Sequence, residues 1–279
     1  MPTIQSRDGV ELFYRDWGAG RPVLFVHGML MSSAMWQDQL LYLAEHGHRA
    51  VAYDRRGHGR SDDPGRGYDF DTLADDLASV IAALDLTDVT LVGHSMGGGE
   101  LVRYLTRHGR RRVSRIALVG STVPCLAVDE AVVAALLTRL RTDYAGWVAE
   151  NADRSFGLEP PGADLPRLER EDTIREWLSV SRQAAVACTA ANVAADFRTE
   201  LATIDRPALV IHGDADAFAP LESCGRQSAA LLPAATLRVY EKASHMIHLT
   251  HRHRLNADLL EFVRAAAVDA DGPVLSARG

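Results

Sequence analysis

The stretch Val89-Thr90-Leu91-Val92-Gly93-His94-Ser95-Met96-Gly97-Gly98-Gly99 decides the fold of this chain. Its first four residues form an apolar, largely β-branched run that predicts a buried strand. Apolar residues at helical spacing follow Gly99, so the strand must turn into a helix within a few residues. Ser95 lies at the corner of that turn. We therefore predict a strand, a sharp turn and a helix, with a serine at the apex.

The glycines on either side of the serine indicate a specialised turn. Gly93 and Gly97 match the pattern G-x-S-x-G, and residues without a Cβ relieve the crowding in such a turn. The turn would lift the Ser95 hydroxyl out of the sheet. It would also place the Met96 N–H at a helix N-terminus, where it can face developing negative charge. A glycine-rich turn with a capping serine is the alternative, but the chain also supplies partners for a nucleophile.

The composition is that of a globular protein with a full core. The chain has 279 residues, of which 47% are hydrophobic and 24% are charged, enough for one large domain with or without an inserted subdomain. A net charge of −7 argues against nucleic acid or an anionic membrane as the main partner. No apolar run is long enough to span a bilayer, and residues 1–9 lack the layout of a signal peptide.

The three cysteines are far apart and outside any metal-binding spacing. Cys125, Cys188 and Cys224 are therefore expected to be free thiols in a reducing compartment. We accordingly expect a cytoplasmic protein.

Strands and helices alternate through most of the chain. Strands are predicted at 3–6, 10–16, 23–26, 50–53, 89–92, 113–119, 208–211 and 236–240, and helices at 33–45, 72–84, after Gly99, at 221–232 and at 254–267. This order predicts an α/β fold, with a mostly parallel sheet of about eight strands and helices on both faces. Ligands of such sheets bind beyond the carboxyl ends of the strands.

The alternation stops between residues 124 and 200. Only helical patterns occur there, at 129–141, 144–151, 172–180 and 181–193, and Pro160-Pro161-Gly162 interrupts them. We predict a helical cap at 124–200, inserted into a core of 1–123 and 201–279. Its aromatic and aliphatic side chains either roof a pocket or pack the core of the cap itself. Residues 269–279 are predicted to be a frayed tail.

A serine hydroxyl needs a base, and the base needs an acid that orients it. Asp214 and Asp216 follow one predicted strand and compete for the role of the acid. We select Asp216 and interpret Asp214 as a residue that braces the loop. His245 follows the last strand and is our candidate base, because histidine accepts a proton near neutral pH.

Three further histidines lie close to the candidate base. His248, His251 and His253 fall at or within the last helix, and we interpret them as surface or helix-capping residues. Their spacing matches no metal-binding motif, so no metal site is predicted.

The oxyanion of an acyl transfer needs two N–H donors. Met96 N–H is the first candidate, and Met29 N–H, in the loop after the strand at 23–26, is the second. The side chains that we expect to shape the substrate pocket are Leu30, His94, Leu126, Trp147, Phe218 and Met246.

These motifs resemble the α/β-hydrolase superfamily, and within it the bacterial cofactor-free haloperoxidase, perhydrolase and aryl esterase group. The resemblance is carried by His27-Gly28, Asp54-Arg55-Arg56-Gly57-His58-Gly59-Arg60-Ser61, Gly93-His94-Ser95-Met96-Gly97-Gly98-Gly99-Glu100 and His212-Gly213-Asp214-Ala215-Asp216. It implies Ser95 as nucleophile, Asp216 as acid and His245 as base, and it implies a structural role for the charges of the 54–61 loop.

Three positions depart from that group. It usually has Trp where Met29 stands, Phe where His94 stands and Gly where Met246 stands. Since Met29 and Met246 would line or adjoin the pocket, these departures concern acyl specificity and the reaction with peroxide, and they leave the triad intact.

The leading hypothesis is an esterase that forms an acyl-enzyme on small, aryl or short-chain esters, without a cofactor. The resemblance implies a perhydrolase or haloperoxidase side activity. A lactonase or carbon–carbon hydrolase would use the same triad, and a receptor-like protein with little turnover is the alternative from another class. A dehalogenase or epoxide hydrolase needs a carboxylate at the position of Ser95. The expected partner is a small ester or acyl compound, and self-association is compatible with the sequence.

Overall fold

The computed structural model describes residues 1–157 and 166–265. Its strands are β1 (Thr3–Gln5), β2 (Glu11–Gly18), β3 (Arg21–Val26), β4 (His48–Tyr53), β5 (Val89–His94), β6 (Val113–Val119), β7 (Ala208–Gly213) and β8 (Ala235–Tyr240). They form one sheet in the order β1-β2-β4-β3-β5-β6-β7-β8. The first two strands are antiparallel to their neighbours, and the six strands from β4 to β8 are parallel. The predicted α/β fold, with eight mostly parallel strands, is confirmed.

Helices cover both faces of this sheet. Outside the predicted cap they are a short 3₁₀ helix (Ser33–Trp36), α1 (Gln37–Glu45), α2 (Phe70–Ala83), α3 (Met96–His108), α9 (Gly225–Leu231), α10 (Ile247–Thr250) and α11 (Arg252–Arg264). Because both faces are covered, the central strands are apolar throughout: the side chains from Val23 to Val26 in β3 are at most 1% exposed.

One predicted core helix is shorter than its pattern. The sequence predicts a helix at 221–232, whereas α9 is confined to Gly225–Leu231. Residues 221–224 form a turn instead, in which the Cys224 N–H donates to the Pro220 carbonyl at 2.9 Å. The apolar spacing continues through this turn, so periodicity alone could not locate the helix start.

Among the described residues, five helices lie between β6 and β7, where the sequence predicts the cap: α4 (Glu130–Thr142), α5 (Tyr144–Phe156), α6 (Arg167–Ser179), α7 (Arg182–Ala194) and α8 (Arg198–Leu201). The second runs further than predicted, to Gly157, whose left-handed conformation (φ 69°) terminates it. The third starts earlier than predicted, directly after Pro166. The division into a core and a cap at residues 124 and 200 stays a prediction.

Helices α5 and α7 approach the carboxyl edge of the sheet at two places. On α7, Asn192 accepts a hydrogen bond from Thr122, just beyond β6 (2.8 Å). On α5, Arg154 donates to the Ala217 carbonyl in the loop after β7 (3.3 Å). These contacts position helices over the strand ends where ligands of such sheets bind.

The predicted interruption at 160–162 and the predicted tail at 269–279 lie outside the described residues. Within 1–157 and 166–265, no helix combines the length and the apolar character needed to cross a membrane.

Candidate active site

Ser95 occupies a strained position between β5 and α3. Its backbone has φ 52° and ψ −123°, a region that residues with a Cβ rarely adopt. The surrounding packing imposes this conformation: a Cβ on Gly93 would lie 2.8 Å from the Gly97 backbone, and one on Gly97 would lie 2.7 Å from the Val26 carbonyl oxygen. The hydroxyl of Ser95 is consequently held above the carboxyl edge of the sheet.

Ser95, His245 and Asp216 form a hydrogen-bonded chain. His245 Nε2 lies 2.9 Å from Ser95 Oγ, and His245 Nδ1 lies 2.7 Å from Asp216 Oδ2. An ionised carboxylate only accepts hydrogen bonds, so Nδ1 carries the proton and Nε2 is free to accept the serine proton. The three groups come from the ends of β5, β7 and β8. They therefore have the arrangement of a nucleophile, a base and an orienting acid.

The structure separates the two candidate acids. Asp216 directs Oδ2 at the imidazole, while its Oδ1 accepts the N–H groups of Phe218 (2.9 Å) and Ala219 (2.8 Å). Burial raises the pKa of Asp216, but the His245 imidazole and these donors outweigh it, so the pKa lies below its usual value. Asp214 is exposed and accepts the Lys242 N–H at 2.6 Å. Its contact is that of a loop brace.

Two backbone N–H groups are available next to the serine. Met96 N–H is the first in α3 and has no acceptor within the helix. Met29 N–H, in the loop after β3, donates to no acceptor among the described residues. The Gly28 carbonyl of the same peptide is held by His27 Nδ1 (2.7 Å) and Arg55 Nη1 (3.3 Å). Because C=O and N–H of a trans peptide point in opposite directions, these contacts fix the direction of the Met29 N–H.

A buried ion pair supports this loop from behind. Arg55 Nε donates to Glu100 at 2.6 Å, its Nη2 donates to the His27 carbonyl at 2.7 Å, and the Tyr53 hydroxyl donates to Glu100 at 2.9 Å. Arg55 and Glu100 are both 0% exposed. Glu100, which follows the three glycines of α3, thus pairs with Arg55 in the loop after β4. Sequence reasoning missed this link, because nothing local connects positions 45 residues apart.

Replacing Glu100 tests that support. Glu100→Ala leaves the Arg55 guanidinium buried without a counterion, and we expect the free energy of unfolding to fall by about 3–5 kcal/mol. Urea unfolding measures the change. As a control, Glu222→Ala removes the exposed pair with Arg226 and should cost less than about 0.5 kcal/mol. Equal effects of the two substitutions would contradict a structural role for the buried pair.

The six candidate pocket residues differ in their surroundings. Leu30, His94 and Met246 are at most 2% exposed and belong to the packed interior. Leu126, Trp147 and Phe218 are half-buried, and the Phe218 ring centroid lies 5.6 Å from that of His245. Met29 is also half-buried, and its sulfur lies 3.1 Å from the Thr189 hydroxyl on α7. A contact with substrate stays a prediction for all six.

His94 and His248 form a buried cluster with the base. His94 Nε2 lies 2.9 Å from the His245 carbonyl, its ring centroid is 4.7 Å from that of His245, and His248 packs on its other side at 5.4 Å. The interpretation of His248 as a surface or capping residue is wrong, since it is 1% exposed. The chain turns inward through α10, so residues 243–248 are all buried. His251 is half-buried and His253 is exposed.

Four buried histidines make stability sensitive to acid. Burial lowers the pKa of His58 and His94 to about 3, and it holds the pKa of His27 and His248 well below 6.5. Below pH 6.5 the unfolded chain binds protons that these buried imidazoles accept only at a much lower pH, about 3 for His58 and His94. We therefore expect the unfolding free energy to fall between pH 7 and pH 5, by up to about 1.4 kcal/mol per pH unit for each of these histidines.

Urea midpoints at pH 7, 6 and 5 measure this loss. His94→Phe removes one titrating group and should make the dependence shallower, whereas the exposed control His253→Gln should leave it unchanged. A stability that stays constant between pH 7 and pH 5 would contradict the expectation.

No group of three or more His, Cys, Asp or Glu side chains within 1–157 and 166–265 is arranged to hold a metal ion. Cys125, Cys188 and Cys224 are free thiols, and the last two are buried.

The chain is similar to known proteins in its sequence and in its fold. Residues 21–252 match the model of the alpha/beta hydrolase fold family. A non-heme chloroperoxidase of Kitasatospora aureofaciens is 41% identical over 273 residues, which cover 94% of this chain and 99% of the relative. A bifunctional esterase/perhydrolase of Acinetobacter calcoaceticus is 33% identical over 276 residues, with 95% and 100% covered.

A solved structure supports the same comparison. An esterase from Exiguobacterium antarcticum superposes with a TM-score of 0.89 at 29% identity, and the match covers 94% of this chain and 99% of that one. The similarity therefore extends over nearly the whole chain, including the helices between β6 and β7.

Proposed function

The chain belongs to the α/β-hydrolase superfamily and groups with its non-heme haloperoxidases and esterase/perhydrolases, and on that premise we propose that it hydrolyses small carboxylic esters through an acyl-enzyme on Ser95. The observation that carries the proposal is the hydrogen-bonded chain from Asp216 through His245 to Ser95. Along the polypeptide the serine comes first, then the acid and then the histidine, and this is the order found in α/β-hydrolases.

The proposed reaction has two halves. Ser95 Oγ attacks the ester carbonyl while His245 Nε2 takes the serine proton, and Asp216 stabilises the imidazolium that results. The negative charge on the carbonyl oxygen faces the N–H groups of Met29 and Met96. His245 then gives its proton to the leaving alcohol. Water, deprotonated by His245, attacks the acyl-enzyme, and the acid is released with Ser95 restored.

Hydrogen peroxide in place of water would release a peracid. The names of two relatives, a chloroperoxidase and an esterase/perhydrolase, favour this second activity. The acyl group would move from Ser95 to the peroxide, and His245 would take the peroxide proton. The peracid could then oxidise halide in solution, returning to the carboxylic acid. The same triad would serve both reactions.

A fluorophosphonate and a substrate panel test the proposal. The probe should label one hydroxyl, that of Ser95, and abolish turnover of short-chain aryl esters. The panel compares acyl chain lengths, lactones, carbon–carbon substrates, and acetate with peroxide. If the protein turned over only lactones, or only substrates with a cleavable carbon–carbon bond, it would be a lactonase or a carbon–carbon hydrolase with the same triad and not an esterase. Labelling without turnover of any activated ester would favour a receptor-like protein.

A further inference from the structure

A cleft of about 740 Å³ lies to one side of the triad, between the cap and the core. Its walls are the 3₁₀ helix and the start of α1, helix α6 of the cap, and the segment from α10 to α11. Met31, Met35 and Leu249 give it an apolar part. Ser95, Asp216 and His245 are not among the residues that line it.

His248 lines this cleft, and its imidazole forms no side-chain hydrogen bond among the described residues. Its side chain is 1% exposed, and its Nδ1 has no hydrogen-bond partner among the described residues. Burial holds its pKa well below 6.5, so the ring is neutral and carries one N–H and one lone pair.

Glu176 contributes a carboxyl group that lies in no ion pair among the described residues. It lies on α6 and accepts a hydrogen bond from the Ser32 hydroxyl. Burial and the nearby Asp54 raise its pKa, while the bond from Ser32 and the nearby Arg15 partly offset this rise.

The other charged groups of the cleft are already engaged. Asp38 and Glu169 both bind Arg252, and Asp172 binds Arg175. Arg60, the remaining cation, is exposed and stacks over the Phe13 ring with 4.8 Å to the centroid. Among the described residues, Glu176 is therefore the acid of this cleft that has no ion-pair partner, and a bound cation would supply one.

We propose that this cleft is a second ligand site, which takes a small primary alkylammonium ion. An ammonium group has three donors and no acceptor, which suits the Glu176 carboxylate and the lone pair of a neutral imidazole at His248. Its alkyl chain would lie against Met31, Met35 and Leu249. A carboxylate ligand would meet the acidic groups of the cleft, and an alcohol would leave Glu176 without a counterion. The site does not depend on the proposed esterase activity.

Calorimetric titration with hexylammonium, 1-hexanol and hexanoate tests this proposal. Hexylammonium should bind with one site per chain, and more tightly than the other two. Glu176→Gln should weaken its binding by about tenfold or more, because a charge-assisted bond is lost. Glu171→Gln is the matched control, since it lies on the same helix, pairs with Arg167 and does not line the cleft; it should change binding less than twofold.

Two further measurements test whether binding at the cleft is independent of the triad and whether a loss of binding comes from misfolding. Protein labelled on Ser95 by the fluorophosphonate, and Ser95→Ala, should bind hexylammonium like the unmodified chain. His248→Phe, with its fold checked by circular dichroism, should weaken binding while keeping the ring volume. Absence of binding, equal binding of the three probes, or full affinity in Glu176→Gln would overturn the proposal. Loss of binding after labelling of Ser95 would assign the cleft to the catalytic site instead.

Discussion

Ser95→Ala should lower kcat on a short-chain aryl ester by about 10⁶-fold, close to the background rate. The substitution removes the only hydroxyl that lies within hydrogen-bond distance of His245 Nε2 among the described residues. Without it the acyl-enzyme cannot form, and the remaining donors only polarise the carbonyl. Initial rates at saturating ester, compared with buffer alone, measure the loss.

The fold should survive this change. Alanine keeps the Cβ at the position with φ 52°, so the backbone strain is the same in both proteins. The thermal midpoint should therefore change little. Ser223→Ala, in the turn before α9, is a control that should keep full activity. A Ser95→Ala protein that is folded and within tenfold of the wild-type rate would end the serine mechanism.

Asp216→Asn should have the second largest effect, about 10⁴-fold on kcat. The amide can donate to His245 Nδ1, which favours the tautomer with the proton on Nε2. That tautomer cannot accept the proton of Ser95, and the imidazolium loses its counter-charge. The rate should be measured across pH 6–9, and the loss should persist through this range because it comes from the wrong tautomer and the missing counter-charge.

Asp214→Asn is the matched control for the acid. It changes the same residue type two positions away, where the carboxylate accepts only the Lys242 N–H in an exposed loop. An asparagine oxygen can accept the same bond, so we expect less than a tenfold change in kcat. A larger effect at Asp214 than at Asp216 would exchange the two roles.

The described fold follows from patterns that act over short distances. The alternation of apolar runs and helical spacing predicted eight strands in a mostly parallel sheet, and the structure has them. The glycines around Ser95 predicted a sharp turn, because steric crowding at a turn is a property of neighbouring residues. The boundaries were less predictable: α6 starts five residues before its predicted start, because that pattern carries weak periodicity.

The cluster around the base could not be found in the same way. His248 has a polar side chain and is followed closely by the polar run His251-Arg252-His253, and both features predict a surface position. It is buried because α10 packs against β5 and the 3₁₀ helix, next to His94 and Trp36. His94 itself indicated a buried position, because the haloperoxidase, perhydrolase and aryl esterase group that the chain resembles usually has Phe there.

The amino-acid sequence by itself determined the class of fold, the sharp turn at Ser95 and the order of serine, acid and histidine, because steric limits and apolar periodicity depend on residues that are close together in the sequence. Only the tertiary structure decided that Asp216 and not Asp214 faces the imidazole, that Glu100 neutralises Arg55, and that His248 borders a cleft. These pairings depend on where loops from distant parts of the chain come to lie, and that is fixed by the packing of the whole sheet and its helices.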